Sequence, residues 1–343
     1  MKILAIDIGA GTQDILLFDS KEKIENCISL VLPTPSKFVA EKLGKIESDV
    51  YIYGDTIGGG SLTRVILRLI QKGYRVVMQE SAAYSIRNDL DEVKSMGIAV
   101  GNKPESDHFQ EMDIQEIDLP MLKDFLSHFG EDFNIDVIGV AVQDHGVSPK
   151  GVSDRAFRFE NMEAMLRKDN RPEAFHFSED SIPSHYLRMR SAVKAIRRTS
   201  SAQVVVMDTS FSAILGCVGE AAGPSLVVNV GNGHTIAALL IGGKIEGLYE
   251  HHTHELTPKK LEQDLRLFLR GELSREKVFE ENGHGVITLT PFHGEIPVLV
   301  TGPNRDLFKG TSFKFIYAAP GGNTMMTGPM GLVKAALSRF GTK

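Results

Sequence analysis

Two short apolar runs separated by a turn of small residues open the chain. Ile3 to Ile8 is apolar except for Asp7, Gly9 to Thr12 forms the turn, and Ile15 to Phe18 is apolar again. This pattern predicts a β-hairpin with a glycine tip. Glycines can present bare backbone N–H groups to an anion, and Asp7 can hold a metal ion beside that anion, directly or through water. The alternative is an ordinary hairpin with one polar residue.

The same pattern recurs in the second half of the chain. Residues 226 to 240 place Asn229 where the first hairpin has Asp7, and Gly231 and Gly233 where it has its two glycines. Two such hairpins, one per half, could face each other across a cleft and hold a polyphosphate between them. A chance match of two glycine hairpins is the alternative.

The remaining pattern alternates strands with helices. Apolar runs of strand length occupy residues 27–32, 50–53, 75–79, 135–142, 203–207, 244–249, 297–301 and 314–318. Helical spacing occupies residues 36–46, 62–72, 81–96, 120–129, 258–270 and 275–280, with a last helix rich in small residues within 320–336. The alternation predicts an α/β fold with a mixed sheet covered on both faces. Residues 101–118 are acidic and weakly patterned, and we predict a surface excursion there.

Composition narrows the classes of function. A chain of 343 residues with 42% hydrophobic content can bury a substantial core and suggests two domains. The net charge of −6 gives no electrostatic case for binding nucleic acid or an anionic membrane. Cys27 and Cys217 are too far apart in sequence for a disulfide framework or a clustered metal site. Without an apolar run of ~20 residues or a signal-peptide pattern, we expect a cytoplasmic protein.

Polar clusters follow two of the predicted strands. Gln143, Asp144 and His145 follow the strand at 135–142, where open α/β sheets bind ligands. Asp144 or His145 could act as a general base or orient a substrate hydroxyl, although a turn or helix cap is an equal alternative. Asp208 lies between a strand and a helix, where it is either a helix N-cap or a base that accepts a proton from an attacking hydroxyl or water.

Three further features have two interpretations each. The segment Glu250 to Glu255 contains His251, His252 and His254, which suits a metal site or a merely polar strand end. The glycines 58–60 before a helix suit an anion site or a close backbone crossing. Residues 147–200 suit a solvated face or an anionic substrate site, because they carry Arg155, Arg158, Arg167, Arg171, Arg188, Arg190, Arg197 and Arg198.

The assembled pattern resembles the actin-like ATPase superfamily, which includes actin, hexokinase, sugar kinases and Hsp70 chaperones. Within it, carbohydrate kinases of the xylulokinase type are the most similar. The segments that carry the resemblance are the first phosphate motif at Asp7 to Thr12, the second at Asn229 to Thr235, the adenosine motif at Thr301 to Asn304, the substrate strand at Ile138 to Gly146, the segment of the catalytic aspartate at Asp208 to Ala213 and the terminal helix at Gly328 to Ala336.

The resemblance implies a duplicated actin-like, ribonuclease H-like fold with mixed sheets and a central nucleotide cleft. Residues 1–205 would form an N-terminal domain with insertions, and residues 206–343 a C-terminal domain. It further implies an ATP-dependent phosphotransferase or ATPase, with Mg²⁺ held by Asp7 and with Asp208 as base. The implied ATP contacts are Gly9, Gly11, Thr12, Asp14, Gly231, Asn232, Gly233, His234, Thr235, Gly302 and Asn304, and the implied acceptor contacts are Gln143, Asp144 and His145.

Departures from the pattern leave alternatives open. Asn229 replaces a common aspartate, and Gly302-Pro303 replaces paired glycines, which favours a nucleotide-binding sensor or scaffold without efficient catalysis. A metal-dependent hydrolase that uses the segment His251 to Glu255 is the other alternative. The chain also resembles a prokaryotic family labelled pyruvate formate-lyase activating protein, a label that implies a cysteine triad absent here. The acceptor, a small molecule or a protein, and homo-oligomerisation stay open.

Overall fold

The computed structural model describes residues 1–105 and 108–341 and contains three β-sheets in that part of the chain. The strands are β1 (Lys2–Ile8), β2 (Thr12–Asp19), β3 (Ile28–Pro33), β4 (Val50–Gly54), β5 (Val76–Met78), β6 (Ala99–Val100), β7 (Gln110–Ile114), β8 (Val137–Val142), β9 (His176–Ser178), β10 (Gln203–Met207), β11 (Ser225–Val230), β12 (His234–Ile241), β13 (Lys244–His252), β14 (Gly285–Thr288), β15 (Val298–Thr301) and β16 (Phe315–Tyr317). The helices are α1 (Pro35–Leu43), α2 (Gly60–Gln71), α3 (Glu80–Ala83), α4 (Leu90–Ser95), α5 (Leu119–Ser127), α6 (Asp154–Lys168), α7 (Leu187–Arg197), α8 (Thr209–Cys217), α9 (Pro258–Arg270), α10 (Arg275–Glu280) and α11 (Thr327–Phe340).

The opening hairpin forms as predicted and lies inside the first sheet. Its strands pair in antiparallel register, with Leu4 opposite Leu17 and Asp7 opposite Asp14. The strand order of this sheet is β3-β2-β1-β8-β10-β9, so β1 lies between β2 and β8. Most of β1 is apolar on both faces because an apolar cluster covers each face, one with Ile3 and Ala5 and the other with Leu4 and Ile6.

The second sheet repeats the path of the first. Its strand order is β14-β13-β12-β11-β15-β16, in which β11, β12 and β13 occupy the places of β1, β2 and β3. As in the first sheet, the three leading strands are antiparallel and β15 then joins β11 in parallel. Asn229 pairs with Ile236, where the first hairpin pairs Asp7 with Asp14. This repetition confirms the duplicated actin-like fold.

A third sheet is inserted between β3 and β8. Its order is β6-β5-β4-β7 and all its pairings are parallel. The surface excursion predicted for residues 101–118 is wrong in part, because β7 pairs with β4 and Glu116 is fully buried; residues 106 and 107 lie outside the described part. The helix predicted for residues 81–96 is also wrong in part, because a turn separates α3 from α4.

The C-terminal helix α11 joins the two halves of the molecule. It packs against α8 and against β1 and β8 of the first sheet, and one apolar cluster contains Ile3, Val227 and Leu332. The small residues of α11 allow the close approach of another helix, because a Cβ on Gly331 would overlap the carbonyl oxygen of Ser212 in α8.

The domain boundary between residues 205 and 206 stays a prediction. Over the described residues, no helix has the length and apolar character needed to cross a bilayer.

The contact between α8 and α11 generates the first testable prediction. A Cβ on Gly216 would overlap the carbonyl oxygen of Thr327. We expect Gly216→Ala to lower the free energy of unfolding by about 1–3 kcal/mol, the usual cost of overpacking, measured by chemical denaturation. This loss would occur although alanine favours a helix by roughly 0.5–1 kcal/mol over glycine.

Gly60→Ala is the matched control, because Gly60 also lies in a helix and a Cβ there would meet no atom within 4 Å. We expect it to leave stability unchanged or slightly increased. Equal stability of the two variants would contradict the close packing of α8 on α11.

Candidate functional site

The tips of the two glycine hairpins meet across a cleft between the halves. In one tip the N–H of Gly9 donates to the carbonyl of Thr12 at 3.0 Å, and in the other the N–H of Gly231 donates to the carbonyl of His234 at 2.9 Å. A Cβ on Gly11 would overlap the side chain of Asn232, so the tips are in direct contact. Sequence reasoning therefore predicted correctly that the repeated hairpins face each other.

Both tips line a small cavity with a volume of about 100 Å³. It brings together most of the predicted nucleotide-binding residues, and its walls include Asp7, Gly9, Gly11, Thr12, Asp14, Gln143, Asn229, Gly231, Asn232, Gly233, His234 and Gly302. The backbone N–H groups of Ala10, Gly11, Asn232 and Gly233 make no backbone hydrogen bond within the described residues. Such N–H groups in two opposed turns are suited to an anion.

Two carboxylates beside this cavity each have one oxygen without a partner. The Oδ1 atoms of Asp7 and Asp14 are buried and have no hydrogen-bond partner in the described part of the chain. Burial, with a smaller effect of the Asp14 charge, raises the pKa of Asp7 well above its usual value, and burial raises the pKa of Asp14 to about 6 against the opposing effect of a hydrogen bond from Thr12. Two adjacent carboxylates with such oxygens are unfavourable when both are charged, so a proton or a cation must neutralise them, and carboxylate oxygens suit Mg²⁺. The residues present therefore fit a magnesium ion.

The opposite hairpin offers no equivalent charge. Asn229 and Ile236 hold the positions that Asp7 and Asp14 hold in the first hairpin. A cation held by carboxylates in this cavity would therefore bind on the side of the first hairpin.

Two predicted nucleotide contacts have structural roles instead of lining the cavity. The hydroxyl of Thr235 shares a hydrogen bond with the hydroxyl of Thr253 at 3.0 Å. The Nδ2 of Asn304 donates to the carbonyl of Gly231 at 2.9 Å and so supports the second hairpin. Gly302 does line the cavity, and its φ of 94° suits glycine because the backbone passes directly beside Val230.

Asp208 is the N-cap of α8, as one of its two interpretations predicted. Its Oδ1 accepts the N–H of Ser210 at 2.9 Å. Arg158 contacts both of its carboxylate oxygens, with Nη1 to Oδ2 at 2.8 Å and Nη2 to Oδ1 at 3.2 Å. Although burial raises the pKa of Asp208, Arg158 lowers it below the usual value. Thr209 and Ser210 line the glycine cavity and Asp208 does not, so its predicted role as base has no direct geometric support.

The guanidinium of Arg158 also binds a carboxylate from the second half. Its Nη2 lies 2.9 Å from Oε1 of Glu250, and its Nε lies 3.0 Å from the same oxygen. Arg158 is 3% exposed and Glu250 is fully buried. The solvated face predicted for the arginines is therefore wrong at this position. It is also wrong at Arg188, which is mostly buried and pairs with the fully buried Glu116 at 2.6 Å.

A second cavity of about 630 Å³ lies between the inserted sheet and the first half. Gln143, Asp144 and His145 line it, and Gln143 lines both cavities. Asp144 has the capping role that was its alternative, since its Oδ2 accepts the N–H of Arg188 at 2.8 Å at the start of α7. The glycines 58–60 also line the cavity, but Gly59 makes a close backbone crossing, because a Cβ there would overlap the carbonyl of Ser85.

The histidines of the predicted metal segment do not converge. His251 is fully buried with its ring beside Tyr249, while His252 packs on the other face of β13 against His234 and His284. His254 has a side chain that is 72% exposed. The metal group predicted at residues 251–255 is therefore wrong as a cluster. A different set, His145, His234 and His284, comes together in the described part.

Sequence reasoning named Arg158 and Glu250 without the roles they have in this site, and it did not name His284. Arg158 lies four residues before Met162 and eight before Leu166, which are buried on the same face of α6. An arginine at the helical spacing of the apolar residues was the signal in the sequence that this side chain is buried. His284 lies between two glycines, and a Cβ on Gly285 would overlap the ring of Phe159, which signals close packing around that histidine. Glu250 lies in β13, and the pattern of apolar and polar residues in that strand does not show which residue its side chain contacts.

The model of the family described as "Putative pyruvate format-lyase activating enzyme (DUF1786)" matches residues 57–307. The chain belongs to this family. The iron–sulfur chemistry that this label implies needs a cluster of cysteine ligands, and the sequence contains only Cys27 and Cys217. No curated protein matches the chain significantly.

Several solved structures resemble the chain weakly over its whole length. The inorganic polyphosphate/ATP-glucomannokinase of Arthrobacter sp. strain KM has 13% identity over 98% of this chain and 99% of that chain, with a TM-score of 0.37. The activator of the 2-hydroxyisocaproyl-CoA dehydratase from Clostridium difficile has 9% identity over 100% and 98%, with a TM-score of 0.36. MreB 5 of Spiroplasma citri has 11% identity over 98% and 96%, with a TM-score of 0.33. The fold assignment rests on the duplicated strand order rather than on these similarities.

The buried pairs of Arg158 generate the second testable prediction. We expect Arg158→Met to lower the free energy of unfolding by about 3–5 kcal/mol, because it leaves Asp208 and Glu250 as uncompensated buried charges. Chemical denaturation measures the loss. Adding Asp208→Asn and Glu250→Gln to Arg158→Met should restore part of the stability.

Arg167→Met is the control on the same helix, because the Arg167 side chain is 59% exposed. We expect this change to stay within about 0.5 kcal/mol of the wild type. A loss in Arg158→Met that the two neutralising substitutions do not reduce would show that charge is not its cause.

Proposed function

We propose that the protein is an ATP-dependent phosphotransferase or ATPase that binds Mg·ATP between its two glycine hairpins. The observation that carries the proposal is the meeting of the hairpin tips beside Asp7 and Asp14, whose Oδ1 atoms have no partner in the described part of the chain. The opposed turns of N–H groups would hold a polyphosphate, and the carboxylates would hold the accompanying cation. The cleft would then lie between a domain of residues 1–205 and one of residues 206–343.

Each part of the site has a distinct task in this proposal. Asp7 and Asp14 would hold Mg²⁺, which neutralises charge on the phosphoryl oxygens. The tips, with Gly11 and Gly233, would fix the phosphates, and Gln143 would face the acceptor because it lines both cavities. The γ-phosphorus–oxygen bond to ADP breaks, a bond to an acceptor hydroxyl or water forms, and the acceptor proton passes to a base.

The base in this proposal is Asp208, which requires a change in the contacts of Arg158. Arg158 now contacts both carboxylate oxygens of Asp208. The glycine cavity of about 100 Å³ is also smaller than the ~300–1,000 Å³ typical of ligand pockets. Separation of the two halves on nucleotide entry would enlarge this cavity and break the pair of Arg158 with Glu250, whereas the release of Asp208 requires the Arg158 side chain itself to move.

A nucleotide-binding sensor or scaffold is the second candidate function. The observation that favours it is the same engagement of Asp208, since a carboxylate held by a guanidinium and a backbone N–H is poorly placed to accept a proton. In this alternative the nucleotide changes the separation of the halves without efficient transfer.

Nucleotide binding generates the third testable prediction. We expect MgATP to raise the melting temperature of the wild-type protein by several degrees, because ligand at ~100 times its dissociation constant adds about 2.7 kcal/mol. Asp7→Asn should reduce the part of the shift that depends on Mg²⁺. Thermal unfolding with ATP, with and without Mg²⁺, measures both effects.

Asp124→Asn is the matched control, because Asp124 is an exposed aspartate on α5. We expect it to keep the full MgATP shift. Absence of a shift in the wild-type protein would argue against a nucleotide between the hairpins.

Turnover generates the fourth prediction. We expect Asp208→Asn to abolish phosphate release from ATP, or transfer to an acceptor found by screening hydroxyl compounds, while the MgATP thermal shift remains. Retained turnover would remove Asp208 from the reaction. A wild-type protein that binds ATP but shows no turnover with any acceptor would favour the sensor.

A further inference from the structure

Three histidines from distant parts of the chain meet in the cleft. His145 follows β8 of the first half, His234 begins β12 of the second hairpin, and His284 precedes β14. Each offers one ring nitrogen, and these three atoms lie within 4.8 Å of one another. The ring centroids are 5.2 Å apart for His145 and His234, 5.9 Å for His145 and His284, and 4.5 Å for His234 and His284.

His284 is unsatisfied in this arrangement. Its side chain is fully buried, and neither Nδ1 nor Nε2 has a hydrogen-bond partner in the described part of the chain. Leaving a buried polar group without a partner is unfavourable. A ligand that accepts a nitrogen lone pair would satisfy one of these two nitrogens.

Neutral imidazole is a common ligand of divalent metal ions. The three rings converge from separate elements on one point, which is the geometry that a shared ion requires.

We propose that His145, His234 and His284 bind one divalent transition-metal ion of the Zn²⁺ type. Imidazole nitrogen suits zinc and related metals, and three protein ligands leave a coordination position for water or a substrate oxygen. This site differs from the proposed magnesium site in its ligand atoms, because Asp7 and Asp14 offer oxygen only.

The surroundings of the histidines also suit a cation. The amide Nε2 of Gln143 lies against Nδ1 of His234. The same amide turned by 180° would place its oxygen there to accept the ring N–H, and an outer partner of this kind orients a ligating ring. The single positive charge of Arg158 is opposed by two carboxylates, Asp208 and Glu250. This neighbouring group therefore has a net negative charge.

The position of the histidines connects the two cavities. His234 lines the glycine cavity, and His145 lines the larger cavity beside the inserted sheet. A metal ion held by both would lie at their border, with its free position available to an oxygen from either side. Metal binding itself does not depend on the proposed ATP chemistry and can be measured without nucleotide.

The experiment is a metal titration of untagged full-length protein after treatment with a chelator. We expect one equivalent of Co²⁺ to give the visible absorption of a tetrahedral or five-coordinate site, and one equivalent of Zn²⁺ to displace it. Loss of an outer partner alone typically weakens metal binding 10–100-fold, so His145→Ala and His284→Ala should each weaken it by at least ~100-fold.

His254→Ala is the matched control, since this neighbouring histidine has a side chain that is 72% exposed. It should bind metal as the wild type does. Circular dichroism and thermal unfolding establish that each variant is folded. If His284→Ala does not fold, His145→Gln is measured in its place, because His145 is more exposed than His284.

Three results would overturn the proposal. They are no cobalt absorption in the wild type, unchanged binding in folded His145→Ala and His145→Gln, and loss of binding in His254→Ala. The last result would assign the metal to residues 251–255 instead.

Discussion

The burial of one guanidinium is the constraint on which the rest of the cleft depends. Arg158 comes from α6 and reaches Asp208 at the end of β10 in the first sheet and Glu250 in β13 of the second. Removing three charged groups from water is costly, and bidentate hydrogen bonds offset this cost only when all partners are aligned. The ion pairs therefore favour one relative arrangement of the two sheets.

That arrangement determines which groups can meet in the cleft. Glu250 lies in β13, directly opposite Ile236 of β12, so Arg158 acts close to the second hairpin. On the first side, Arg158 also donates to the carbonyl of Asp144 at 3.2 Å, beside Gln143 and His145. The ion pairs of Arg158 therefore stabilise both the contact between the hairpin tips and the approach of the three histidines.

The sequence was informative where structure depends on local pattern. The hairpins, their repetition and the capping role open to Asp208 follow from residues close together in the chain, and the strand order confirms the duplicated fold. The pairing of Arg158 with Glu250 and the approach of His145 to His284 were not predictable in this way, because a hydrophobic pattern shows which face a residue lies on and not which distant residue it meets. The hydrogen bonds of Thr235 with Thr253 and of Asn304 with Gly231 were not predictable for the same reason, while the contact of both residues with a nucleotide stays a prediction.

The two hairpins have equivalent backbones but unequal charge. Asp7 and Asp14 face each other in one, while Asn229 and Ile236 replace them in the other. Because the fold is duplicated, the two hairpins form a pseudosymmetric pair, and this pair by itself would bind an elongated anion in either direction. The carboxylates break this symmetry, so under the proposed function an anion accompanied by its cation would have a single favoured polarity in the cleft, with its two ends directed to different halves of the molecule.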